Sequence, residues 1–324
     1  MNRRTRMTCR VCGNDETTIL PVGKYADFFL LRVDTNKDEF RLFSRVDLIR
    51  TRPAALPVRA LRRIRRMLAP PKLKPALPFR TDMQACTLCH SITPCHEYSA
   101  DDLLGLYRDY RSETYNRDRI SVEPWYAQIV NDVGSHPLEV KNRNAAVDSF
   151  LNKNASHFAG GSMIDYGGSD GRMIPSFAHN QFDSIFVYDA SGAPLHDSVD
   201  VRKVKKIADP GAKTYSFLTC MHVLEHVGNP RTLVIEAARL LAPGGLMYIE
   251  VPHELTKIVR EDFERRVIDT PITIHEHINL FDRASVVALV GSIDGLVLID
   301  DAEDVVDLGW ISGLIGRFLV RKVK

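Results

Sequence analysis

The stretch MIDYGGSDGRMIPSFA, residues 163–178, decides the fold. A short apolar run carrying Asp165 ends at Gly167 and Gly168, passes through Ser169, Asp170 and Gly171, and opens into a helix-like window. Glycines at the carboxyl end of a strand let the backbone turn tightly and approach a ligand closely, while the helix start offers unpaired N–H groups. A nucleotide-like ligand is expected there. The spacing is not GxGxxG, so a dinucleotide is not favoured, and an ordinary tight turn between strand and helix is the bland alternative.

Working outward, short apolar runs alternate with amphipathic windows from Ser162 onward, which predicts a parallel sheet covered by helices. The strand candidates are residues 162–166, 184–189, 204–207, 214–220, 245–251, 295–300 and a last one near ISGLIGRFLV, seven in all. The expected fold class is therefore α/β, a seven-stranded Rossmann-like sheet, preceded by a small N-terminal domain. The expected division is 1–98 for that domain, 99–153 for a helical linker or lid, and 154–324 for the sheet.

With 44% apolar and 26% charged residues, the chain excludes a disordered or fibrous protein. It has no run of about 18 apolar residues that would span a membrane. The Arg-rich start lacks an apolar h-region, so a cytoplasmic protein is expected. The net charge of +2 conceals +12 over residues 1–80 and −10 over the remainder. Much of the excess lies in LPVRALRRIRRML, residues 56–68, a basic amphipathic helix that stops at Pro70 and Pro71. A solvated arginine face is the simple reading. The sharper one, taken over residues 56–74, is an anionic membrane surface or polyanion as partner, which would seat the protein at the membrane periphery.

Two CxxC pairs, Cys9/Cys12 and Cys86/Cys89, frame the basic segment. Zn²⁺ takes four tetrahedral N or S ligands, and each CxxC knuckle supplies two thiolates from one turn. Structural zinc is expected, with no open position for catalysis. Cys95 and His96 stand close enough in sequence to replace one ligand.

Asp189 ends the next strand about 20 residues after the glycine loop, where a ribose diol would be held. Residues 214–252, TYSFLTCMHVLEHVGNPRTLVIEAARLLAPGGLMYIEVP, then run a strand into a polar crevice, a helix, a PGG turn and another strand. With DYGGSDG, VYD, CMHVLEHV and LLAPGGLMYIEVP in this order, the sequence resembles the class I S-adenosylmethionine-dependent methyltransferases from about Asn154 onward. The resemblance implies that Asp165, Gly167, Gly168 and Gly171 surround the methionine part of S-adenosylmethionine, that Asp189 binds its ribose, and that Asp209 lies on the adenine side. Cys220, Met221 and His222 would open onto the sulfonium, with His222 where many relatives carry Glu.

The zinc module ahead of such a domain, with YRDYRSETY (107–115) and ITIHEHINLF (272–281), is similar to the deoxysugar C-methyltransferases. The chain departs from them in its basic insertion, in ending at Lys324 without their further domain, and in having Ile274 where they carry Tyr before HEH. Imidazoles titrate near neutral pH, so His275, Glu276 and His277 are candidates for proton removal or acceptor contact, with His277 the favoured base and Glu276 beside it to orient a ring. Polar surface or packing is the plain alternative for this cluster. Glu225 and His226 read as structural. Tyr107, Tyr110, Arg111, Ser112 and Tyr115 are either packing or a lid, with Arg111 facing an anionic substrate.

The leading expectation is methyl transfer to a sugar or related polar small molecule, nucleotide- or lipid-linked. RNA methylation, with the zinc module and basic segment gripping phosphates, is the runner-up. It is weakened by the scarcity of aromatics among the arginines of residues 41–80 and the lack of an NPPY-type motif. A non-enzymatic scaffold on a membrane or polyanion is the alternative from another class.

Overall fold

The computed structural model describes residues 7–33, 80–254, 272–274 and 276–323. The expected basic helix at 56–68, the wider segment 56–74 and His275 lie outside these residues. The described residues form eleven strands and seven α-helices.

The main sheet has the order β10-β11-β8-β7-β4-β5-β6. Its members are β4 (Ser162–Tyr166), β5 (Ser184–Tyr188), β6 (Val204–Ile207), β7 (Tyr215–Met221), β8 (Leu241–Pro252), β10 (Leu296–Asp307) and β11 (Ser312–Lys322). Pairings β4/β5, β5/β6, β4/β7 and β7/β8 are parallel, and β11 runs antiparallel between β8 and β10. This is the expected seven-stranded α/β sheet. Central strands β4, β5 and β7 read as near-continuous apolar runs because helices cover both faces, and their middle residues are buried. Strand order reverses at β4, with β5 on one side and β7 on the other. A crevice forms at such a switch point, outside the carboxyl ends of the strands.

Helix α4 (Pro137–Lys153) starts with Pro at its first turn and buries Val147, Phe150 and Leu151. It packs on β10 and on α5 (Ser176–Gln181), the helix that follows the glycine loop. Helices α6 (Pro230–Leu240) and α7 (Arg283–Gly291) contribute Val234, Ala237, Val286 and Leu289 to the core on the sheet.

A second sheet has the order β3-β2-β1-β9, from β1 (Thr17–Tyr25), β2 (Arg80–Cys86), β3 (Ile92–Pro94) and β9 (Ile272–Ile274). The late strand β9 pairs in parallel with Gly23 to Tyr25, and Ile92 bridges Leu280. Chain from beyond residue 270 thus completes the N-terminal sheet. Helices α1 (Asp27–Arg32), α2 (Ala100–Tyr107) and α3 (Glu113–Val122) cover it through Phe28, Phe29, Leu106 and Tyr115, with Ile278 in the same core.

Candidate active site and cysteine centre

The glycine loop sits at the switch point. Gly167 and Gly171 have φ of 80° and 79°, which only glycine adopts without strain, and the amides of Gly167 and Gly168 donate to the Tyr188 carbonyl. A Cβ on Gly167 would stand 2.4 Å from Val223 Cγ2, and one on Gly168 would stand 2.3 Å from Asp165 Oδ2. Asp165 is 1% exposed; its Oδ1 accepts from Thr219 Oγ1 at 2.7 Å, and its Oδ2 has no hydrogen-bond donor among the described residues. Burial pushes this carboxyl up to about 6, against the Thr219 hydrogen bond, which favours the ionised form. A buried acceptor with no partner, beneath the turn of Gly167 and Gly168, leaves room for a donor.

Asp189, half-buried at the end of β5, accepts the Ser169 amide at 2.9 Å through Oδ2 and the amide and hydroxyl of Ser191 through Oδ1. It shapes the glycine loop and keeps acceptor capacity for a diol. Asp209, after β6, is exposed and accepts the Gly211 amide at 2.8 Å. Cys220 is 1% exposed and packs in the core. Met221 is 8% exposed and belongs to the core cluster that contains Phe150, Phe177 and Tyr248.

His222 has φ 54° and lies between two fully buried carboxylates, Nδ1 at 3.3 Å from Glu225 Oε1 and Nε2 at 3.2 Å from Glu250 Oε1. Burial disfavours its charge and Arg143 opposes it, but the two glutamates outweigh them and raise its pKa. Glu250 also takes Arg143 at 2.9 Å, Tyr248 Oη at 2.9 Å and Arg317 at 3.3 Å, and stays ionised despite burial. His222 thus lies within ion-pair distance of both carboxylates at the mouth of β7, with no aligned hydrogen bond at Nε2 among the described residues.

The short turn Leu224–His226 follows. Glu225 holds the late segment in place through its carbonyl, which accepts from the amides of Ile278 and Asn279. Its carboxylate is fully buried, and neither oxygen has an aligned donor among the described residues. Burial would raise its pKa, yet His222, His226 and His277 bring it to about 2. Beside it, the rings of His226 and His277 meet edge to face at 4.7 Å. His226 Nδ1 faces Tyr107 Oη at 2.6 Å and the Glu276 carbonyl at 3.0 Å, and burial lowers its pKa, leaving the ring neutral near pH 7. His277 Nδ1 is 2.9 Å from Glu254 Oε1. Burial acts to lower the His277 pKa, but Glu254 first, then Glu225 and Glu276, carry it to about 9.

Glu276 does not take the orienting role expected of it. Its carboxylate accepts from Tyr115 Oη and from Arg119, each at 2.5 Å, turning away from the imidazoles toward α3. Glu254, at the end of β8, orients His277 instead. The tyrosines reach the site as a layer: Tyr107 meets His226, Tyr115 meets Glu276, and Tyr110 packs against both edge to face. Arg111 donates to Tyr110 Oη at 3.3 Å, and its guanidinium lies 4.8 Å from that ring's centre.

Cys9, Cys12, Cys86 and Cys89 are all buried, with their sulfurs within 4.8 Å of one another. Cys9 and Cys89 Sγ are 3.8 Å apart, and Cys12 and Cys86 Sγ 3.6 Å. A tetrahedron with bonds of about 2.3 Å to zinc has edges of about 3.8 Å, so the sulfurs fit that ion. Amides of Val11, Leu88 and Cys89 point at the sulfurs, and Gly13 and His90 take positive φ to end each knuckle. Cys95 stands outside the cluster. Instead its carbonyl, with those of Pro94 and His96, accepts from the Arg10 guanidinium. The knuckle docks on the start of α6 through the Arg231 amide and the Arg10 carbonyl, 3.1 Å apart.

Residues 140–292 match the family model described as a methyltransferase domain. Over 113 residues the chain is 26% identical to the ubiquinone biosynthesis O-methyltransferase of Acinetobacter baylyi, covering 31% of this chain and 47% of that protein. Against the enzyme of the same name from Serratia proteamaculans the identity is 31%, over 32% of this chain and 45% of that protein. The chain therefore spans just under half the length of these curated relatives. The solved magnesium protoporphyrin IX methyltransferase of Synechocystis PCC 6803 with bound SAM aligns at a TM-score of 0.45 and 13% identity, over 69% of this chain and 99% of that one.

Proposed function

We propose that the methyltransferase domain at residues 140–292 moves the methyl group of S-adenosylmethionine to a polar, hydroxyl-bearing small molecule of the sugar class. The observation that carries the cofactor reading is the buried, partnerless Oδ2 of Asp165 beneath the side-chain-free turn of Gly167 and Gly168. S-Adenosylmethionine supplies an electrophilic methyl on a sulfonium. Its amino-acid end carries the cationic ammonium that Asp165 lacks as a partner, and Asp189 supplies the acceptor for a ribose diol.

On the acceptor side, His226, His277, Tyr107 and Tyr110, backed by the buried Tyr115, make a polar, aromatic wall of the kind that packs on a sugar face while hydrogen-bonding its hydroxyls. Methyl transfer is an in-line displacement, so the protein needs to align the two reactants and remove one proton. His277, charged below about pH 9, holds the acceptor oxygen; His226, neutral near pH 7, is the ring ready to take a proton. This assigns the base to the neighbour of His277 in space, with Tyr107 fixing its ring.

The four thiolates fit a structural zinc ion, which would tie the N-terminal sheet to α6 and leave no open position for chemistry. Sugar acceptors and RNA separate in one assay: labelled methyl from S-adenosylmethionine should appear on members of a nucleotide-sugar panel and not on RNA. Label on RNA alone would overturn the sugar reading.

A further inference from the structure

The geometry points to a second metal site in this chain: a divalent cation held by Glu225, His226 and His277, with coordination positions left for an acceptor. One donor atom from each residue lies within 4.8 Å of the others. The site is distinct from the four cysteines in ligand chemistry, being imidazole and carboxylate in place of thiolate.

Three observations converge on this. First, Glu225 is fully buried, and neither carboxylate oxygen has an aligned hydrogen-bond donor among the described residues. The imidazole facing it at 3.3 Å, His222, is shared with Glu250, so a buried carboxylate without an aligned donor of its own still has room for a cation. Second, the outer nitrogens of both rings are already held. His226 Nδ1 lies 3.0 Å from the Glu276 carbonyl and 2.6 Å from Tyr107 Oη, whose hydroxyl is itself 3.2 Å from that carbonyl, and a proton on Nδ1 donated into this pair leaves Nε2 free to face an ion. His277 Nδ1 faces the Glu254 carboxylate at 2.9 Å, which likewise only accepts. Metal-ligating histidines have this arrangement: the far nitrogen donates to a carboxylate or carbonyl, and the near one is aimed at the ion. Third, His226 Nε2 and Glu225 Oε1 face each other at 3.9 Å, too far for a hydrogen bond and spannable by an ion with bonds of about 2.0 to 2.2 Å.

Two imidazoles and one carboxylate form a set with an open position, unlike the closed tetrahedron of four thiolates. An ion there would bind acceptors that present one or two oxygens, such as adjacent hydroxyls, and favour their ionised form. What the ion is for rests on the methyl-transfer reading; its binding does not. The nitrogens otherwise available to take the acceptor's proton are the ones the ion would use, so metal binding separates the two roles where activity alone does not.

The test uses the full chain with its thiolates first saturated with Zn²⁺, then titrated with Co²⁺ and followed by its visible absorption. The expected result is one further Co²⁺ per chain, without sulfur-to-metal charge-transfer absorption. Glu254→Gln keeps all three ligands and should weaken Co²⁺ about 10- to 100-fold, as loss of such an outer partner does. His277→Gln, at a half-buried position, should weaken it at least as much, with S-adenosylhomocysteine affinity unchanged as evidence of an intact fold. No Co²⁺ beyond the thiolate site, or unchanged Co²⁺ affinity in His277→Gln, would overturn the site. Lost S-adenosylhomocysteine binding in the wild-type chain would instead overturn the methyltransferase reading.

Discussion

Lowering the pH from 7 to 5 should weaken S-adenosylhomocysteine binding about tenfold, and the loss should trace to Asp165. Burial holds this carboxyl's pKa at about 6 in the unliganded chain. Only the ionised form can answer the ligand's ammonium, so binding is at full strength well above pH 6 and falls as pH drops through it. At pH 5 about one molecule in ten carries the charge, a penalty of about 1.4 kcal/mol. Asp165→Asn should flatten the profile and weaken binding at pH 7 by about 1.5 to 3 kcal/mol, the range for a hydrogen bond to a charged group. Calorimetric titrations of both proteins at pH 5, 6 and 7 provide the assay. If the wild-type affinity does not change over this range, or Asp165→Asn keeps the wild-type fall, Asp165 does not bind the ammonium.

Cys12→Ser removes one of four sulfurs and should lower the melting temperature of the N-terminal sheet and cut bound zinc, while leaving cofactor affinity within a fewfold of wild type; an unchanged melt with full zinc would refute the zinc centre. His277→Ala, which removes the charge that holds the acceptor oxygen, should slow the chemical step by roughly 100- to 1,000-fold in single-turnover measurements with little change in cofactor affinity, and wild-type turnover would remove it from the site. Deleting residues 56–74 should spare cofactor binding and reduce sedimentation with anionic vesicles in a salt-dependent way; binding that ignores salt and the deletion would return the segment to a solvated arginine face.

The sheet was legible because its strands are short apolar runs set off by turns: VKKI at 204–207 is β6 to the residue. Strand ends were less so. Strand β10 runs on to Asp307, past the apolar run at 295–300, because its hairpin with β11 projects beyond the sheet, where Val305 is exposed and apolarity no longer marks pairing. The three-residue β9 carries no periodicity of its own and is defined by the Gly23 to Tyr25 backbone it pairs with. The cysteine cluster was readable from spacing, since each knuckle is local and only the meeting of the two is tertiary. Glu254 was not readable: 23 residues separate it from His277, and no spacing rule joins a strand end to a distant loop. Glu276, adjacent to His277 in sequence, points the other way because neighbouring residues on extended chain face opposite sides. Glu225 and His226 read as structural because their partners come from Tyr107 and from the segment around residue 277, both remote in sequence.

Calorimetric titration of the full chain with S-adenosylhomocysteine at pH 7, alongside Gly167→Val, tests the central claim most directly. One site per wild-type chain is expected, and none in the variant. A side chain there must enter a φ of 80° and collide with Val223 where the backbone has to approach the ligand. A wild-type chain that does not bind, or a folded variant that binds as tightly, would contradict it.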